Sequence, residues 1–196
     1  HVGPGQAYSN ISDVPLESLQ AGDKVFIHYR AAAYKEKWVI TAQGTAANPI
    51  EFIGVSSSGG QKPIIDGNGA TTRTALDFWN EDRGVIKIGG SSNPTNILPS
   101  YIIIENLEIR SSRPAYQFLD DRGNTRTYRS NAAAVYIERG EHITIRNCDI
   151  HDAGNGIFIG ASDGQTQDIL LTSNYIFNNG LMGSGFQHNT YTEAVN

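Results

Sequence analysis

Apolar residues in this chain fall in short β-prone runs broken by Gly, Pro, Asn and Ser, not at helical spacing. The clearest pattern covers residues 101–179, where one arrangement is written three times, at 102–109, 143–150 and 170–177. In each copy β-prone residues precede an Asn (Asn106, Asn147, Asn174), and a large apolar residue follows three positions later. The Asn residues lie 41 and 27 positions apart, as expected of stacked repeats in which one turn carries a long insertion and the next is nearly bare. Alignment on the Asn predicts two inward columns: Ile102, Ile143 and Leu170, then Ile109, Ile150 and Phe177. Asn side chains repeated at a bend can bond one another and the turn backbone along the stack, so this column reads as structural.

Upstream, runs at 25–29, 38–41, 50–53 and 63–66 recur every 11 to 13 residues, which suits two strands per coil. Runs at 75–78 and 85–88 continue the series, 89–94 reads as a loop, and 132–137 and 156–159 resume the strand pattern. Residues 111–131 form the only long stretch without an apolar period. Their Tyr116, Phe118 and Tyr128 favour an ordered, functional loop. Pro15, Leu16, Leu19 and Gly22 predict a short amphipathic helix at 14–20, within a cap of about residues 1–22 over the first open end of a solenoid. No closing element is legible at 185–196. Asp66-Gly67 and Asp163-Gly164 are isolated, so the hairpin signals of a sandwich are missing. The expectation is one all-β domain over residues 1–196: a right-handed parallel β-helix, a solenoid with an N-terminal capping helix, truncated at its C-terminal end.

Composition narrows the function. The hydrophobic fraction of 39% supports a core, and 21 Gly with 9% aromatic residues fit many tight turns. A net charge of −5 without a basic run argues against nucleic acid, and no apolar run approaches the roughly 20 residues of a membrane span. Cys148 is the sole cysteine, one place after a repeated Asn, so it reads as a packed small hydrophobe. The first residue, His1, is compatible with a removed signal peptide or with a tag remnant. Asn10-Ile11-Ser12 matches a glycosylation sequon.

The layout of residues 19–27, Tyr34 to Trp38, Gly44-Thr45, Asn48-Pro49-Ile50 and residues 63–67 resembles the first coils of secreted right-handed parallel β-helix proteins of the pectate lyase-like superfamily. The resemblance covers most of the chain. It implies a secreted or periplasmic protein whose partner is a polysaccharide. A lyase of this kind removes the proton alpha to a uronate carboxyl group, which requires a cation beside that carboxylate and a base. The cation implied by the resemblance is calcium.

Taking four and five positions after each Asn gives a polar stripe along one outward face: Arg110 and Ser111, His151 and Asp152, Asn178 and Asn179. His151 and Arg110 are the candidate catalytic pair, since an unperturbed imidazole titrates near neutrality at about 6.5. Arg113, Asp152, Asn178, Asn179, His188 and Tyr191 are the candidate substrate-binding residues, and the same residues read equally as solvated turns. Two features depart from the lyase pattern. All five Lys lie in the first half of the chain, and Glu138, Glu141, Asp149, Asp152 and Asp163 are scattered, leaving Asp120-Asp121 as the only paired acids near the loop. Three readings therefore stand. One is a lyase or hydrolase acting on a glycan such as pectate or alginate. Another is a non-catalytic module stacking sugars on Tyr116, Phe118, Tyr128 and Tyr191. The third is a structural piece that self-associates through its open C-terminal coil.

Overall fold

The computed structural model describes residues 1–161 and 166–193; Asp163 lies outside the described residues. Strands of two to seven residues dominate, no α-helix occurs among the described residues, and almost every strand pair is parallel. The first sheet runs β1 (Lys24–His28), β3 (Ile50–Val55), β7 (Ser100–Glu105), β12 (Gly140–Arg146), β15 (Thr166–Thr172). The second runs β4 (Ile64–Asp66), β8 (Glu108–Ser112), β13 (Asp149–Ala153), β16 (Tyr175–Ile176). The third runs β2 (Glu36–Ile40), β6 (Gly84–Ile88), β11 (Ala133–Ile137), β14 (Asn155–Ile159), β17 (Thr190–Thr192). It is extended on the β2 side by β5 (Ala70–Thr72), β9 (Gln117–Leu119) and β10 (Thr125–Thr127). From β3 onward the main strands visit the first, second and third sheets in fixed rotation. Three strands per repeat thus replace the expected two.

The sheets are held together by like residues stacked in register on their inner faces; only β2, β6, β11 and β14 of the third sheet are buried on both faces along their whole length. Ile50, Ile102 and Ile143 pair in sequence along the first sheet, as do Ile65, Ile109 and Ile150 along the second and Ile86, Val135 and Ile157 along the third. All nine are fully buried, and burial of each such side chain contributes about 1.5–3 kcal/mol. Cys148 packs in the same core, where burial pushes its thiol up to about 11. That suits a hydrophobe, not a nucleophile.

The third repeat is displaced by one residue from its sequence alignment. Ile143 pairs with Ile169 and Ile150 with Ile176, so Leu170 is 54% exposed and Phe177 leaves the inward column for the outer one. The left-handed bend falls on Asn106 (φ 57), Asn147 (φ 51) and then Ser173 (φ 54), not Asn174. The Asn147 side chain donates to Asn106 Oδ1 at 3.0 Å, and Asn106 donates to the Gly54 carbonyl at 2.6 Å, so the first two amides form the predicted ladder. Gly54 is required there, since a Cβ would lie 1.8 Å from the Asn106 carbonyl oxygen. Asn174 instead crosslinks the previous rung, accepting from the Cys148 N–H and donating to the Ile145 carbonyl.

The N-terminal segment differs from expectation. Residues 14–20 do not form a helix; two 3₁₀ turns, Ile11–Asp13 and Leu16–Ser18, bury Ile11 and Leu16. The intervening Val14 is extended, as the residue before a proline tends to be, and this divides the segment. Val2 adds to the β1 edge, donating to the Phe26 carbonyl and accepting from the His28 N–H, both at 2.8 Å. Residues 75–78 are not a strand and contribute only a single bridge, Asp77 to Asn93. Residues 111–131 are ordered as anticipated, around the antiparallel hairpin of β9 and β10.

Candidate functional site

Alternation along the second sheet sends Ile109 and Ile150 inward and their neighbours outward. Register then builds two outer columns. Asp66, Arg110 and His151 pair in sequence, and Glu108 pairs with Asp149, which pairs with Tyr175. Parallel strands lie about 4.8 Å apart, so charged groups in adjacent rungs meet directly.

Arg110 donates from Nε and Nη2 to Asp66 Oδ2 at 3.2 and 3.1 Å, and from Nη1 to Glu108 Oε1 at 2.9 Å. His151 sits between two carboxylates, with Nε2 3.3 Å from Glu108 Oε1 and Nδ1 3.2 Å from Asp152 Oδ2. Asp152 also accepts from Arg113 at 3.1 Å and from Asn178 Nδ2 at 2.9 Å, while Arg113 donates to the Asn178 carbonyl at 2.7 Å. Lys62 donates to Asp149 at 2.9 Å. The ladder ends in stacked rings. His151 and Phe177 have centroids 4.7 Å apart, and Phe177 and Tyr175 4.3 Å apart. Tyr175 is 63% exposed.

Five of the eight sequence-predicted residues are therefore brought together: Arg110, His151, Arg113, Asp152 and Asn178. The other three are elsewhere. Asn179 accepts from the Ala153 N–H and donates to the Ile150 carbonyl, a crosslink between rungs. His188 and Tyr191 belong to the edge of the third sheet, where Tyr191 stacks on Phe158 at 4.9 Å. Phe118 and Tyr128 are buried against one another and cannot receive a sugar. Sequence reading missed Tyr175 and Phe177 as outward rings, because the Asn alignment placed the third repeat one residue out of register.

A second polar concavity of about 400 Å³ lies under the hairpin of residues 111–131, lined by Trp79, Asp82, Asp121, Arg122, Arg126 and Arg129 among others. Two buried lysines on the outer face of the third sheet hold its walls. Lys37 donates to the Glu81 carbonyl at 3.0 Å and to that of Gly84, and its ammonium lies 4.2 Å from the Phe118 ring centre. Burial pushes it down to about 7 against the pull of Glu81 and Asp82. Lys87 donates to the carbonyls of Trp79 (2.7 Å) and Gly90 (2.6 Å) and pairs with Glu138 at 3.0 Å; burial lowers it to about 8. A lysine on a strand's outer face reads in sequence as solvated, and only the loops folded over it reverse that.

A calcium cage needs several uncommitted oxygens converging at one point. Asp120 is spent on its own turn, accepting from the N–H groups of Asn124 (2.7 Å) and Arg122 (3.0 Å) and pairing with Arg126 at 3.5 Å. Burial raises its pKa, but these donors outweigh that effect and hold the carboxyl below the usual range. The acids of the ladder are paired with Lys62, Arg110 or Arg113. No group of three or more His, Cys, Asp and Glu side chains converges at metal spacing among the described residues. The described residues do not fit a calcium cage. Comparison with known protein families, with curated proteins and with solved structures found no match for this chain.

Proposed function

We propose that this chain is a right-handed parallel β-helix of the pectate lyase-like kind, secreted or periplasmic, that binds a polysaccharide along the outer face of its second sheet. The fold part of the reading rests on the fixed rotation of parallel strands through three sheets, with the right-handed crossover that parallel strands favour. The observation that carries the function is the ladder running from Asp66 through Arg110, His151 and Asp152 and ending in the Phe177 and Tyr175 rings. Alternating donors and acceptors beside an exposed aromatic ring are complementary to the hydroxyls and apolar face of a sugar.

Binding is favoured over elimination by the state of the arginines. A lyase must bring an unneutralised cation to the uronate carboxylate, whereas Arg110 faces two carboxylates and Arg113 another. Lys62, Arg110 and Arg113 stand against Asp66, Glu108, Asp149 and Asp152, so the ladder offers no excess positive charge to a polyanion. A hydroxyl-rich glycan of low charge fits better than pectate or alginate. Two measurements test this: calorimetric titration with xylan, β-glucan, pectate and alginate, and absorbance of unsaturated product on incubation with the two uronate polymers, with and without calcium. Binding without product is expected. Unsaturated product from either uronate polymer would overturn the binding reading in favour of the lyase.

A second reading, self-association, is favoured by Leu170, 54% exposed on β15, a strand unpaired on one side among the described residues. Sedimentation that finds only monomer at high concentration would exclude it.

A further inference from the structure

We propose that His1 and His28 form a two-imidazole site for Cu(II) at the edge of the first sheet. Val2 is added to this edge by two backbone bonds, and Val2 and Ile27 turn inward and are fully buried. Strand alternation therefore sends His1, Phe26 and His28 outward together. The His1 ring stacks on Phe26, with centroids 4.7 Å apart and planes 17° from parallel, and the His28 carbonyl accepts from the Tyr34 hydroxyl at 2.6 Å. Both imidazoles are thus carried on backbone that is pinned on two sides.

Their facing atoms are His1 Nδ1 and His28 Nε2, 2.9 Å apart. Two nitrogens bound at about 2.0–2.1 Å to one ion and separated by 2.9 Å subtend roughly 90° at the metal. That is the cis angle of a square-planar or tetragonal site; the tetrahedral angle preferred by zinc would need about 3.3–3.4 Å. Square-planar nitrogen ligation selects Cu(II) or Ni(II), and of the two Cu(II) binds more tightly. In the metal-free chain the two nitrogens share one proton in a hydrogen bond. Binding shifts that proton to the far nitrogen of the same ring and leaves both facing lone pairs on the metal; protonation of either imidazole competes with the ion, so affinity falls as pH is lowered. The remaining positions are open to water, and His28 is the residue that distinguishes this site from a lone histidine.

The test is Cu(II) titration of the whole chain followed by electron paramagnetic resonance and calorimetry, with His28→Ala and His28→Gln as variants and the peptide His-Val-Gly-Pro-Gly as reference. The free amino group and Nδ1 of the reference peptide chelate copper unaided, so the readout is what His28 adds. Expected results are one equivalent of Cu(II) with hyperfine splitting from two imidazole nitrogens, affinity for Cu(II) above that for Zn(II), and at least about tenfold weaker binding in both variants. Affinity within twofold of wild type in both variants, folded by circular dichroism, would overturn the site. So would wild-type affinity no greater than that of the peptide.

Discussion

The outer faces of the second and third sheets carry similar side chains and put them to opposite uses. On the second sheet, Arg110, His151 and Asp152 are only partly buried, with no loop folded over them among the described residues, and Arg110 and His151 are paired across rungs. On the third, Lys37 and Lys87 occupy equivalent outward positions, but segment 77–94 and the hairpin of residues 111–131 fold over them. Whether an outward cation stays accessible or becomes a structural pin is decided by the loop that covers it, not by the strand that carries it. The energetic consequence is large. An exposed ion pair contributes about 0–1 kcal/mol, whereas breaking a buried one costs about 3–5 kcal/mol.

The sharpest way to break this contrast is to remove one carboxylate from each face. Glu138→Ala strands the Lys87 ammonium in a buried site and is expected to cost about 3–5 kcal/mol in urea denaturation. Glu108→Ala is expected to cost about 1 kcal/mol or less, because its partners Arg110 and His151 keep Asp66 and Asp152. Equal losses at the two sites would abolish the distinction.

Lys37 gives a pH-dependent version of the same test. Its folded-state value lies near 7 against an ordinary 10.5, so between those limits the unfolded chain holds a proton that the folded chain has released. Stability therefore rises with pH across that window by up to about 1.4 kcal/mol per unit, and the full cost of the buried charge stands below pH 7. The difference in unfolding free energy between wild type and Lys37→Met should show this slope between pH 7 and 10. A flat difference would mean that Lys37 keeps its proton throughout.

A smaller effect sharpens the register on which the proposed binding face depends. Ser173 holds the left-handed bend that Asn occupies in the two preceding rungs. Ser173→Asn is expected to stabilise the fold by roughly 0.5–1 kcal/mol, since Asn tolerates that conformation better. Loss of stability in thermal melting would argue that Asn174 takes the bend and that Phe177 faces inward.

Those contrasts also mark how far the sequence could be read. Parallel stacking was legible because Ile102, Ile143, Ile109 and Ile150 recur at one spacing and because Asn at a left-handed bend has a physical reason to repeat. The cluster of Arg110, His151 and Asp152 followed from that spacing alone. What was not legible is non-local. The one-residue slip of the third rung arises because Ser173 accepts the bend and frees Asn174 to crosslink Cys148 and Ile145, a choice made across strands. The burial of Lys37 and Lys87 depends on segments 40 or more residues away in the chain for Lys37 and on the Trp79 turn for Lys87. Residues 75–78 have strand-like composition, yet they form the wall of a groove because their partner is the Asn93 loop instead of a neighbouring rung.

The central claim is that the open face of the second sheet, not the roofed face of the third, receives the glycan. Affinity electrophoresis of wild type, Tyr175→Ala and Trp79→Ala through gels containing xylan, β-glucan or pectate compares the two faces directly, since Tyr175 and Trp79 are their exposed rings. The account predicts retardation of wild type and Trp79→Ala by at least one low-charge glycan, and at least about tenfold weaker binding by Tyr175→Ala, as expected on losing a stacking ring. Retardation that survives Tyr175→Ala and disappears in Trp79→Ala would contradict it.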